Sequence, residues 1–135
     1  MAANNNFLYH STFRTRLSSI KKLGLGAKQI KNWEFSQNNV VCLTSDPEVA
    51  FSFCETADEV ADSVYESGII VLAVNINDLD RRLIATDNNI VGDTVNGVYY
   101  FIYRGIIRPD KLYVVSRSKG LVGNLSTLKR VPSYE

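Results

Sequence analysis

With 135 residues and 45% hydrophobic content, the chain can bury one proper core, and no shift in composition marks a boundary between two. A net charge of +1 excludes broad, salt-driven attraction of nucleic acid by the whole surface, although a local basic patch is still allowed. No apolar run reaches bilayer length, so a membrane role is not expected.

The polar start Ala2–Asn6 gives way to a short apolar strand at Phe7–Tyr9, which ends at His10, the only histidine. A helix is expected from about Phe13 to Leu23, with Phe13, Leu17, Ile20 and Leu23 at helical spacing on its buried face, stopped by Gly24 and Gly26. Ala27–Asn39 has no clean period despite Trp33 and Phe35 and reads as a long loop or short helix over a ligand. Val40–Thr44 is a β-branched strand. Ser45-Asp-Pro-Glu48 then supplies an N-cap serine, a first-turn proline and a capping-box glutamate for a helix from Pro47 to about Phe53. The acidic stretch from Glu55 to Glu66 continues as an exposed helix or loop, its charges a solvated face.

Gly68–Ile76 is the strongest strand, apolar on both faces and therefore central in its sheet. Asn77–Asp80 turns the chain, Arg81–Thr86 is a short extended piece, and turn signals surround Asp87–Asn89, Gly92-Asp93 and Asn96-Gly97. Val98–Arg104 and Tyr113–Ser116 are strands joined by the connector Gly105–Leu112, and the chain closes in a polar tail. Helices in the first half and strands in the second favour an α+β fold in one domain spanning residues 1–135. Cys42 and Cys54 fit neither a metal-ligand spacing nor a disulfide framework. Without a signal-peptide pattern at Met1–Asn6, they are expected to be free thiols of a cytoplasmic protein.

The candidate site begins at His10. Its plainer reading is a partly buried hydrogen-bonding residue. The hydroxyls of Ser11 and Thr12, followed by Arg14 and Arg16, nevertheless offer donors for sugar hydroxyls and phosphates at a strand-to-helix junction, which suggests a nucleotide-like ligand. For both arginines the alternative is an exposed helix face.

Three segments in order then carry a resemblance: Leu8-Tyr-His-Ser-Thr12 with a helix and Leu23-Gly-Leu25, Val41–Ala50, and Tyr100–Leu112. Their succession resembles the ADP-ribosyltransferase fold of the diphtheria-toxin-like and poly(ADP-ribose)-polymerase-like enzymes, with small mixed or antiparallel sheets. The resemblance implies NAD as substrate, with no metal. It gives His10 a ribose hydroxyl and lets backbone groups of Ser11 meet the nicotinamide amide. Where such families place two tyrosines around nicotinamide, this chain has Cys42 and Phe53, and Phe53 offers a face for stacking. Thr44 would face the pocket, as would Ser45 were it not the helix cap, and Arg14 or Arg16 would clamp the diphosphate.

The glutamate that holds the ribose 2′-hydroxyl in these enzymes falls at Tyr100, whose hydroxyl is neutral at pH 7, its reference pKa being about 10. His10 and Tyr100 thus stand at the catalytic positions. A carboxylate from Glu34 or Asp93, an acidic acceptor, or binding without turnover are the ways around the missing charge. The implied activity is mono-ADP-ribosylation of a macromolecule, protein or nucleic acid, by a toxin or phage effector. The alternatives are an inactive binding module on the same scaffold and, last, an RNA 2′-phosphotransferase, whose chemistry calls for a second histidine that this chain lacks.

Overall fold

The unbroken apolar run near the middle of the chain lies inside the sheet. The computed structural model describes residues 6–27, 40–58, 68–86, 94–95 and 97–134. Within them are the strands β1 (Phe7–Phe13), β2 (Val41–Thr44), β3 (Ile69–Asn75), β4 (Ile84–Thr86), β5 (Thr94–Val95), β6 (Val98–Tyr103), β7 (Leu112–Ser116) and β8 (Gly120–Asn124). Two α-helices, α1 (Leu17–Leu23) and α2 (Pro47–Asp58), both lie in the N-terminal half. The strands pair antiparallel throughout in the order β4-β6-β2-β1-β3-β7-β8, with β5 beside β6. The α+β class stands, as one antiparallel sheet. No described helix is long and apolar enough to cross a membrane.

Side chains alternate across this sheet with period two, and each side has its own core. On one side Leu8, Leu43, Ile70, Leu72 and Val114 pack against Leu17 and Ile20 of α1. On the other, Phe13, Ile69, Val71, Ala73 and Val115 pack against Ala50, Phe51 and Cys54 of α2. Each large aliphatic side chain buried this way contributes about 1.5–3 kcal/mol.

Several boundaries differ from the sequence reading, each for a tertiary reason. β1 runs four residues past Tyr9 because β3 pairs with it over its whole length, from Phe7 opposite Asn75 to Phe13 opposite Ile69. Phe13 is therefore a strand residue on the α2 side rather than part of α1's buried face, and Leu23 is 40% exposed. Arg14–Arg16 form a 3-10 turn before α1. The helix cap is Asp46, whose Oδ1 accepts from the Glu48 N–H at 2.8 Å, while the Ser45 hydroxyl accepts from the Tyr99 N–H at 2.9 Å. Serine and aspartate cap equally well, and Ser45 is drawn to the start of β6 instead. The polar tail becomes β8 and a closing segment that buries Leu125, Val131 and Tyr134. Trp33, Phe35 and the acidic stretch beyond Asp58 lie outside the described residues, as do Glu34 and Asp93.

The connector after β6 is held to the end of α1 by a two-bond bridge between Leu25 and Ile107, at 2.9 and 2.8 Å. Gly24 adopts φ +90, and a Cβ there would lie 2.9 Å from the Ile107 carbonyl oxygen. Gly97, at φ +81, has open space around it. Gly24→Ala should thus cost backbone strain of about 1–3 kcal/mol, because φ +90 with ψ 163 is a region essentially reserved for glycine, plus the energy of displacing the Ile107 carbonyl from the Leu25–Ile107 bridge. Urea unfolding should show a clearly larger loss for Gly24→Ala than for Gly97→Ala, and equal losses would contradict the close approach.

The closing segment is clasped to α2. Tyr134 donates to a Glu48 carboxylate oxygen at 2.9 Å, Arg117 forks onto the same carboxylate at 2.9 and 3.2 Å, and the guanidinium lies 4.7 Å from the Phe51 ring centroid. Burial and the Glu48 charge push the Tyr134 pKa up to about 12. A group whose pKa is raised by folding stabilises below its unfolded value and loses that stabilisation as pH climbs to the folded one. The wild type should therefore lose more stability between about pH 10 and 12 than Tyr134→Phe does, measured by denaturant midpoints; parallel curves would exclude the clasp.

Candidate functional site

β1 and β2 pair where Tyr9 meets Thr44, and past that point the ladder between them stops. The Cys42 carbonyl, turned toward β1, lies 2.9 Å from His10 Nδ1. A carbonyl only accepts, so Nδ1 carries the proton and Nε2 is the acceptor of the neutral ring. His10 is 7% exposed; burial pushes its pKa down and the bond to Cys42 pulls it partly back. His10 is thus a neutral side chain that closes the seam where two strands part.

Register assigns each candidate to a face. His10 stands opposite Leu72 and Thr12 opposite Ile70, which places both on the α1 side. Ser11 stands opposite Val71 on the α2 side, where its hydroxyl donates to the Ala50 carbonyl of α2. Thr44 is paired with Tyr9 and Tyr100, and Cys42 with Ile102, again on the α2 side. The Phe53 ring of α2 lies 6.3 Å from that of Tyr100, tilted by 39°. The structure therefore gathers Ser11, Cys42, Thr44, Phe53 and Tyr100 on one face and leaves the His10 and Thr12 side chains on the other.

The arginines turn elsewhere. Arg14 donates to the Ser133 hydroxyl at 3.4 Å and its N–H to the Gly68 carbonyl at 3.0 Å, so it faces the C-terminal segment. Arg16 is half-buried, with its pKa lowered by burial against the opposing pull of Cys54 on α2. Neither cysteine is in a disulfide; Cys54 is buried and Cys42 half-buried.

One residue of this face was not singled out in the sequence. Tyr9 joins the α2-side group: its half-buried hydroxyl is held above the usual phenol range by burial and by the Asp46 charge. Its signal was the odd-numbered alternation Phe7, Tyr9, Ser11 and Phe13. The Thr44 hydroxyl, expected to face the pocket, is fully buried and without a hydrogen-bond partner among the described residues, as is that of Thr12. Such an atom costs about 1–3 kcal/mol unless something satisfies it. Chemically, the α2-side face combines flat aromatic surface with hydroxyls and suits a planar heteroaromatic ring carrying a polar substituent. Comparison with protein-family models, curated proteins and solved structures finds no match to this chain.

Because His10 is the only histidine, the histidine part of the stability–pH curve belongs to it. Its folded pKa lies below the unfolded 6.5, so the unfolded chain takes up a proton first as pH falls. Stability should decline below about pH 6.5, by at most about 1.4 kcal/mol per unit, and His10→Gln should remove that slope. An imidazole NMR titration midpoint at or above 6.5 would contradict the buried, neutral assignment.

Proposed function

We propose that the chain is an ADP-ribosyltransferase-like domain that binds NAD with its nicotinamide end on the α2 side of β1, β2 and β6, and transfers ADP-ribose to a macromolecular acceptor. The observation that carries this reading is one of placement. The three segments of the resemblance, far apart in sequence, fall on three adjacent strands in the order β6-β2-β1, with α2 attached to the middle one. Random likeness between short segments has no reason to bring them side by side.

In this reading Phe53 stacks on the nicotinamide ring, Tyr100 and Thr44 present hydroxyls to the ribose and the amide, and Ser11 contributes backbone groups. His10, with its side chain on the α1 side and Nδ1 bonded to the Cys42 carbonyl, backs this site from behind the sheet. The glycosidic bond between C1′ and the pyridinium nitrogen breaks, its electron pair leaves with neutral nicotinamide, and the acceptor's nucleophile bonds to C1′ as it gives up its proton. The protein's part is to position and to exclude water.

Binding without turnover is the second reading, favoured by Tyr100 at the position of the usual glutamate, with its ring against Phe53. Calorimetry with NAD, paired with chromatography for released nicotinamide, separates the two. Phe53→Ala should weaken NAD by about fivefold, the equivalent of the ~1 kcal/mol of a lost stacking contact. Tyr100→Phe should cost on the order of 1 kcal/mol where its hydroxyl only orients sugar. With protein and nucleic-acid acceptors supplied, NAD bound without nicotinamide release supports the second reading, and no binding at millimolar NAD sinks both.

A further inference from the structure

Charges are sorted along this chain in a way its near-neutral total conceals. Residues 7–33 carry cationic side chains and no acidic one, and so do residues 111–134, whereas residues 46–66 carry acids and no base. The fold brings the two cationic stretches together. Lys21 of α1 donates to the Leu128 carbonyl at 3.2 Å, which sets the last turn of the helix against the segment holding Lys129 and Arg130. Lys21, Lys22, Lys129 and Arg130 are all exposed. The ion pairs among the described residues engage Arg82, Arg108, Lys111 and Arg117, and none of these four.

Lys21 and Lys22 complement the negative end of the α1 dipole. That accounts for neither Lys129 nor Arg130, which sit on no helix. Next to Lys22 in the last turn of α1 lies an exposed apolar pair. Ile106 is 56% exposed and Leu23 40% exposed, and they are neighbours because Ile106 lies over Gly24, 2.7 Å from where its Cβ would be. Acids near this side are already taken: Asp110 by Arg108 and Asp78 by Lys111.

We infer that the α1 side of the molecule binds the phosphodiester backbone of a nucleic acid through Lys21, Lys22, Lys129 and Arg130, with Leu23 and Ile106 against its sugars and bases. Charge complementarity selects this occupant. Flexible, exposed cations without a fixed counter-acid suit a continuous line of phosphates, which asks for charge and little geometry. Asp46, Glu48 and Glu55 lie at α2, across the sheet from α1, so the attraction belongs to one side rather than to the whole surface. The inference is independent of NAD and stands or falls by itself.

The test is fluorescence anisotropy of the intact chain with a labelled 20-nucleotide RNA, its DNA counterpart and a DNA duplex, from 50 to 200 mM salt. Four phosphate contacts give a log–log salt slope of about −3, so affinity should fall roughly 60-fold over that range. Lys129→Gln with Arg130→Gln should halve the slope, and so should Lys21→Gln with Lys22→Gln. Lys119→Gln, in the β7–β8 turn, should leave the slope unchanged. No binding at 50 mM salt, wild-type slopes in both double variants, or binding to heparin or phosphatidylserine vesicles but not to the oligonucleotides would overturn the inference. Each double variant tests the site by itself, so where one folds poorly the other decides.

Discussion

The seven-residue pairing of β1 with β3 is the constraint on which the other features hang. β3 is apolar on both faces, so it must be covered on both, and a strand that pairs with it over its full length inherits the same obligation. The first strand therefore extends through a polar-looking sequence, and His10, Ser11 and Thr12 become interior residues. Burying three polar side chains in a row is costly unless each finds a partner. Ser11 finds the Ala50 carbonyl and His10 the carbonyl that β2 leaves open, whereas the Thr12 hydroxyl has no partner among the described residues.

What could be read in the sequence follows from the range of the forces involved. β3 was legible because an unbroken apolar run has only one way to be satisfied. The start of α2 was legible to within one residue: Ser45 and Asp46 both cap, and the choice between them was made by Tyr99, more than fifty positions away. The end of β1 was not legible, since His-Ser-Thr looks locally like a strand giving out and the partner that prolongs it lies sixty residues on. Nor was the closing segment, whose Leu125, Val131 and Tyr134 are spaced too irregularly to declare an element and are buried one at a time against surfaces made elsewhere.

For the candidate site, the lesson lies in period two. Residues adjacent in a strand point to opposite faces, so a cluster read along the sequence cannot be a cluster of side chains in space. The grouping His10-Ser11-Thr12 is divided by the sheet, while Tyr9, Ser11, Thr44 and Tyr100, from three strands, share a face. The resemblance itself distinguishes these roles, asking for a side chain at His10 and backbone groups at Ser11. A residue that contributes its backbone is at liberty to spend its hydroxyl on holding α2, which is what Ser11 does.

α2 is fastened unevenly, and this bears on what its aromatic wall can do. Its first turn carries the Asp46 cap and the Glu48–Arg117–Tyr134 clasp, and the Ala50 carbonyl is tied to β1 through Ser11. Past that point Phe53 meets β6 through ring contact with Tyr100, a tilted arrangement without directional hydrogen bonds. Polar fastening resists sliding because each bond has one geometry, whereas ring contacts tolerate small shifts at little cost. The first turn of the helix is thus held by bonds of fixed geometry, whereas Phe53, at mid-helix beside the buried Cys54, meets Tyr100 by ring contact.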